Sequence, residues 1–153
     1  MQVPLHLLTQ LAFHLLALKG VLAQHYHLTL REVQVLGVLA MVGEAVLTQL
    51  HRRTAIPKSA LTSLVDRLCA RSLVERRQDR QDRRRWWLCL TPQGQRLVER
   101  LQQEEANLLA PLLEGLSEEE RRALQRALEA MTLRLAQAQP GRGRHVSGGL
   151  PGK

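Results

Sequence analysis

The segment PKSALTSLVDRLCARSLVERRQDRQDRRRWWLCLT, residues 57–91, places a helix-period stretch directly before an arginine-dense ribbon. With successive helical residues about 100° apart, Ala60, Leu61, Leu64, Val65 and Leu68 fall on one side, and Lys58, Ser59, Thr62, Ser63, Asp66 and Arg67 on the other. One face is core; the other is small, polar and free of Glu. Pro57 suits a first helical turn, where the N–H it lacks would have no partner, so the helix starts near residue 57. Beyond Leu73-Val74, residues 76–85 carry six Arg against two Asp, and the alternating Trp86-Trp87-Leu88-Cys89-Leu90 follows. This reads as strand, charged loop, strand. A polar helix face can present donors and acceptors to base edges in a major groove, while a basic ribbon supplies guanidinium groups to phosphates or the minor groove. Each half alone also fits a solvated surface. Their adjacency is what points to duplex nucleic acid.

Length and charge agree with that direction. A chain of 153 residues buries one ordinary core, as one domain or two small coupled ones. Net charge is +8; the segment after Gln139 holds three cations and no acid, so residues 1–138 keep +5, from 19 cations against 14 anions. The sign suits a polyanion partner, and equally any basic protein. Hydrophobic content of 44% excludes wholesale disorder, whereas 3% aromatics leaves Leu, Ala and Val to build the core, which suits long helices. Cys69 and Cys89 form neither a disulfide framework nor a zinc-ligand spacing, so a reducing compartment is expected. In MQVPLHLLTQLAFHLLALKGVLA no Lys or Arg precedes the apolar run, and His6, Gln10 and His14 interrupt it at helical spacing. A structural helix is therefore expected rather than a signal peptide. The same interruptions, with Lys19, argue against a membrane span.

Residues 5–26 read as the first helix. Leu8, Leu11, Leu15, Leu18 and Leu22 make a stripe that Leu7, Ala12, Leu16 and Val21 widen, enough for two partners. One is its own core. The other is a second subunit, or else the helix lies buried within a monomer. Thr29 and Glu32 spell a capping box and Leu28 with Val33 a hydrophobic staple. The second helix then buries Val33, Leu36, Leu39 and Ala40 and ends near Gly43. Residues 45–54 give a short third helix with Leu47 and Leu50 inward and Arg52 and Arg53 at its end. Ala55-Ile56 turns into the polar-faced helix, so the pair is a helix-turn-helix. After the ribbon, Thr91 caps and Pro92 opens a helix to about Leu113. Gly115 breaks it, and Ser117 with Glu120 caps a last helix that buries Leu124, Leu128, Met131 and Leu135 and ends near Gln139. Residues 139–153, rich in Gly and Pro, are expected to be disordered: a weak phosphate binder or a plain solvated end.

From Leu28 to about Leu101, LTLREVQVLGVLA, IPKSALTSLVDRL, SLVERRQDRQDRRR and LTPQG resemble, in order and spacing, the MarR family of winged helix-turn-helix transcription regulators. The most specific piece is the wing: Asp79, then Asp82-Arg83-Arg84, then Leu90-Thr91-Pro92-Gln93-Gly94. The resemblance implies a mainly α (α+β) fold, a winged helix-turn-helix with a two-stranded β wing plus N- and C-terminal helices forming a dimerisation domain. Its expected divisions are a dimerisation helix (1–27), a DNA-binding lobe (28–91), C-terminal dimerisation helices (92–138) and the disordered tail (139–153). It further implies a homodimer whose lobes occupy successive major grooves of double-stranded DNA at a pseudo-palindromic site. Carried over, Lys58, Ser59, Thr62, Ser63 and Arg67 lie over bases and flanking phosphates. Arg84 enters the minor groove, where negative potential favours an inserted Arg, with Asp82 bracing the arginines. Arg52, Arg53, Arg83 and Arg85 are expected on phosphates, adding affinity and salt dependence. Two positions depart from the pattern. Ser72 stands where Gly is usual, and must accept a strained turn or end the helix differently. Trp86 and Trp87 replace smaller aliphatics; by alternation Trp86, Leu88 and Leu90 should face in, and Trp87 and Cys89 out.

The resemblance also implies release from DNA by a small phenolic or similar anion bound between lobes, or by oxidation of a first-helix cysteine, which this chain lacks. Cys69 flanks the recognition helix, where modification could hinder docking, although nothing in the sequence marks it as reactive. Of the histidines, His25 and His27 sit at the end of the first helix, His14 lies farther up it and His51 is in the short third helix, but the fifth helix offers only Glu104 and Glu105 to complete a zinc site, so no metal site is assigned. No catalytic constellation and no cofactor motif appears. The reading is a cytoplasmic, nucleoid-associated regulator, a repressor released by a small aromatic or anionic effector, with no membrane partner. The alternatives are a winged-helix protein-interaction module that is indifferent to DNA sequence, or a metal- or thiol-responsive regulator.

Overall fold

Local signals fix most helix boundaries. Thr29 Oγ1 accepts the Glu32 N–H at 3.2 Å while Glu32 Oε2 accepts the Thr29 N–H at 2.7 Å, which closes the capping box that starts α2. In the computed structural model, which describes residues 4–137, the order is α1 Leu5–His25, α2 Leu30–Val42, β1 Glu44–Ala45, α3 Leu47–Thr54, α4 Lys58–Ala70, β2 Val74–Gln78, β3 Trp86–Leu90, α5 Pro92–Glu114 and α6 Glu118–Gln137. The expected disordered tail and the helix end near Gln139 lie outside the described residues. Gly43, at φ 81°, ends α2 with its N–H on the Leu39 carbonyl at 2.8 Å. The fold is mainly helical, as the sequence predicts.

The sheet holds a strand that the sequence reading missed. Glu44 and Ala45 pair antiparallel with Cys89 and Leu88, so the strand order is β1-β3-β2 and β3 is central. The third helix therefore begins at Leu47 rather than at residue 45, and Gln49 Oε1 accepts the Val46 N–H at 3.0 Å to start it. Pairing on both edges also changes the inward and outward assignment along β3. Cys89 is buried between Glu44 and Glu75, whereas Trp86, at the distal end of the wing, is 48% exposed. Trp87 is half-buried and Leu88 is core.

Ser72 accepts the strained turn. Its φ is 55°, and the Ser72 and Leu73 N–H groups donate to the Cys69 and Leu68 carbonyls at 2.9 and 3.0 Å. That is the Schellman closure with a non-glycine at the left-handed position. Ser72→Gly is expected to raise stability by about 0.5–1 kcal/mol, read as a higher urea midpoint at unchanged slope; a lower midpoint would show the turn unstrained. Leu73 is also where α5 docks. Its carbonyl accepts the Thr91 N–H at 3.1 Å, and a Cβ on Gly94 would lie 2.0 Å from the same oxygen.

Core burial is uneven. Val35, Leu36, Leu39, Leu50, Leu61, Leu64, Val65 and Leu68 are sealed between α2, α3, α4 and the sheet, joined by Leu22 and Ala23 of α1 and Val98 and Leu101 of α5. The remaining helical length is not covered. No residue of α6 is buried, and Leu5, Phe13, Leu112 and Leu135 are 74, 67, 66 and 71% exposed. The last-helix positions expected to be buried, Leu124, Leu128, Met131 and Leu135, are thus uncovered within one chain. By length and a mean hydropathy of 1.4, α1 is long and apolar enough to cross a bilayer, so His6, Gln10 and His14 do not by themselves exclude a span. Its C-terminal half and C-cap are tied to α5: Lys19 Nζ pairs with Glu105 at 2.8 Å and the Tyr26 hydroxyl donates to Glu104.

Candidate nucleic-acid interface

The helix-turn-helix is set by two polar contacts in its corner. Thr54 Oγ1 donates to the Leu50 carbonyl at 2.7 Å and accepts the Ile56 N–H at 3.3 Å, while Ala55 takes a left-handed φ of 57°. His51 Nδ1 lies 2.7 Å from the Ile56 carbonyl, where it donates. With α4 so placed, Lys58, Ser59, Thr62, Ser63, Asp66 and Arg67 are all exposed, as the helical spacing predicts. Arg67 is not free. Its Nε meets Glu32 Oε1 at 3.1 Å, so it secures α4 to the first turn of α2. Glu32 is only 4% exposed. Burial pushes its pKa up, but the Thr29 N–H, the Arg67 guanidinium and the Thr29 hydroxyl together hold it below the ordinary carboxylate value.

The wing is built around Asp79. One carboxylate oxygen accepts the Gln81 and Asp82 N–H groups at 2.8 and 3.1 Å, and the other accepts the Trp87 indole N–H at 2.7 Å. These bonds, the Trp87 contact foremost, lower the Asp79 pKa. Two backbone bonds close the loop, Asp79 N–H to the Arg85 carbonyl and Arg85 N–H to the Asp82 carbonyl, both 2.9 Å. Asp82 Oδ1 accepts the Arg84 N–H at 3.0 Å, so it braces the wing through the backbone rather than through the guanidinium. The Arg85 guanidinium lies 5.3 Å above the Trp87 ring, within cation–π range.

Between α3, α4 and the wing lies a groove of about 720 Å³. It brings together Thr62, Asp82, Arg84 and Arg85 with Thr48, Arg76 and Trp86. Lys58, Ser59 and Ser63 lie on the exposed face of α4 outside its lining, as does Arg67; Arg83 is exposed nearby on the loop, and Arg52 and Arg53 line a smaller pocket with Glu44 on the outer side of α3. Arg76 Nη2 meets Asp66 at 2.6 Å, which orients one wing strand against α4, and Arg77 pairs with Glu44. The Asp79 hub follows a legible local pattern, an Asp whose carboxylate takes the N–H two residues on. Thr48 and Arg76 carried no such signal.

Among the described residues no three His, Cys, Asp or Glu side chains gather as metal ligands, and Glu104 and Glu105 are engaged by Tyr26 and Lys19. Burial pushes the Cys69 thiol up; burial and the Glu75 carboxylate, 3.3 Å from its sulfur, do the same to Cys89. Both shifts disfavour the thiolate.

Residues 26–85, from the end of α1 to the wing tip, match the sequence model of the MarR family. No curated protein matches the chain. Among solved structures, a MarR family protein from Bacillus stearothermophilus is 25% identical over 86% of this chain and 91% of its own, with a TM-score of 0.79. BpsR of Bordetella bronchiseptica is 29% identical over 83% and 96%, at 0.63. Apo MarR of E. coli shares the fold at 22% identity over 86% and 98%, at 0.72. Helix order, wing and the match over residues 26–85 agree that this segment is similar to the MarR family and that the chain shares the winged-helix fold of MarR family proteins.

Proposed function

We propose that the chain is a homodimeric, sequence-specific repressor of the cytoplasm that binds a pseudo-palindromic duplex and is released by a small ligand. The observation that carries this is the groove itself, where Thr62 of α4 meets the guanidinium groups of Arg84 and Arg85 beside a wing rigidified by Asp79, with the rest of the small-polar face of α4 exposed along its border. Such a surface meets base edges with Lys58, Ser59, Thr62 and Ser63, minor-groove potential with Arg84, and phosphates with Arg52, Arg53, Arg83 and Arg85. Arg67 joins them at the flank while remaining paired to Glu32. The uncovered apolar stripes of α1, the end of α5 and α6 supply the dimer face, with residues 1–27 and 92–138 as dimerisation segments and 28–91 as the DNA-binding lobe. This use of α1 is favoured over a membrane span by its ties to Glu104 and Glu105.

Ligand release is supported by relatives: one solved structure is NadR with 4-hydroxyphenylacetate, and BpsR is described as regulated in DNA binding by 6-hydroxynicotinic acid. Selecting bound fragments from genomic DNA, then asking which small acids release them, tests the whole reading. A two-fold site should emerge. Binding that is indifferent to sequence would favour a protein-interaction module instead. Within the selected site, Arg84→Ala is expected to weaken binding by roughly 1–3 kcal/mol while the dimer stays folded. Unchanged affinity in a mobility shift at fixed salt would remove Arg84 from the interface.

A further inference from the structure

The two tryptophans of the wing face opposite ways. Trp87 is half-buried beside Glu44 and Arg77, with its indole N–H on Asp79 and the Arg85 guanidinium above its ring. Trp86 shares a face of β3 with Leu88, two residues on, yet Leu88 is 3% exposed and Trp86 is 48%. Position explains the difference. Trp86 pairs with Gln78 at the last rung of the ribbon and lines the groove between α3, α4 and the wing. Around it the groove has an apolar floor of Val65 and Leu88, both buried, and an exposed rim of Arg76, Arg84 and Arg85. The carboxylates nearby are engaged: Asp66 meets Arg76 at 2.6 Å, and Asp82 accepts the Arg84 N–H at 3.0 Å. A half-exposed indole among guanidinium groups suits a ligand that alternates apolar and anionic parts.

We propose that the groove seats one sugar–phosphate strand of a duplex, with the Trp86 indole packed on deoxyribose and Arg76, Arg84 and Arg85 on the flanking phosphates. This rests on the duplex-binding reading above. With α4 in the major groove and Arg84 in the adjacent minor groove, the backbone that separates the two crosses the gap between α4 and the wing, where Trp86 lies. A DNA backbone alternates anionic phosphates with the C–H faces of its sugars. Phosphates match guanidinium donors, and sugars match a flat apolar ring. The two kinds of contact differ in their salt dependence. Each neutralised phosphate releases counterions and steepens the fall of affinity with salt, whereas burial of the indole raises affinity by a similar factor at every salt concentration. Trp86 thus adds affinity for any sequence, and base discrimination stays with the polar face of α4.

Titration of a labelled mixed-sequence duplex of about 30 base pairs with the full chain, followed by anisotropy over a series of salt concentrations, tests the contact. Trp86→Ala is expected to weaken binding about tenfold at each salt concentration with the slope of log affinity against log salt unchanged, while Arg84→Ala makes that slope shallower by about 1. Trp86→Phe keeps an apolar ring, so it remains informative if the alanine variant folds poorly; it is expected to bind within about threefold of the unsubstituted chain. Intrinsic fluorescence supplies a readout that a purely structural role would not move. The chain has two tryptophans, and DNA should shield it from acrylamide quenching, a protection lost in Trp86→Phe, where only Trp87 remains. Undiminished affinity in the alanine variant, equal losses in the phenylalanine and alanine variants, or no shielding of Trp86 would each overturn the proposal. A chain that binds the mixed duplex through Trp86 but selects no preferred fragment supports the seated strand and sinks only the sequence-specific reading; a chain that binds no duplex even at low salt sinks both.

Discussion

Gly94→Ala is expected to lower the stability of the winged lobe by about 3 kcal/mol, a loss outside the usual range for adding one methyl group. The reason is space rather than backbone freedom, for Gly94 sits in the first turn of α5. An added Cβ would lie 2.0 Å from the Leu73 carbonyl oxygen and 2.9 Å from its carbon. Neither can retreat alone. The Leu73 carbonyl accepts the Thr91 N–H, the Leu73 N–H closes α4 on the Leu68 carbonyl, and Thr91 Oγ1 both donates to the Ser72 carbonyl at 2.5 Å and accepts the Gly94 N–H at 3.0 Å. Relief means prying α5 from the start of β2 and losing these bonds together. For a chain of this size the loss corresponds to a fall in Tm of about 6–12 °C. Gly37, inside α2 with nothing within 4 Å of its added carbon, is the control. There the same substitution should raise stability by about 0.5–1 kcal/mol through helix propensity alone. Equal midpoints for the two variants would refute the close-approach account of the Thr91-Pro92-Gln93-Gly94 turn.

That turn was legible because its determinants are adjacent in sequence. The same holds for the Thr29–Glu32 box, the Gly43 cap, the Ser117–Glu120 cap and the polar face of α4, all of which span one or two helical turns. What the sequence hid depends on partners far apart along the chain. Glu44 and Ala45 look like the start of a helix until Cys89 and Leu88 are beside them, and with that pairing the burial of Cys89 follows. Arg67 reads as a free cation until Glu32, 35 residues earlier, is found against it. The wing shows both cases: Asp79 and Asp82 organise neighbouring N–H groups and could be read locally, whereas Arg76 meeting Asp66 and Trp87 capping Asp79 required the strands to be paired. The interior pattern of α6 was read correctly as a stripe but assigned to burial, and within one chain nothing covers it.

That uncovered stripe carries the second large expectation. Leu128→Glu/Leu135→Glu should convert the protein to a monomer and weaken binding to its two-fold site by about a hundredfold or more, while the winged lobe melts as before. The two leucines are 51 and 71% exposed in the single chain, so carboxylates there bury no charge within it. Across a dimer interface each would replace a buried leucine, worth about 1.5–3 kcal/mol, by an unpaired buried charge. DNA affinity follows from linkage. Two lobes held at fixed spacing bind as one unit, and tethering of this kind multiplies affinity by about 10²–10⁴ without any new contact to the duplex. The salt dependence should fall as well, since a lone lobe neutralises about half as many phosphates. Light scattering and a mobility shift on the same samples separate the causes. A variant that remains dimeric would place the interface elsewhere than α6; a monomer with undiminished affinity would show that each lobe binds independently, and that the apolar helices serve some purpose other than holding two recognition helices in register.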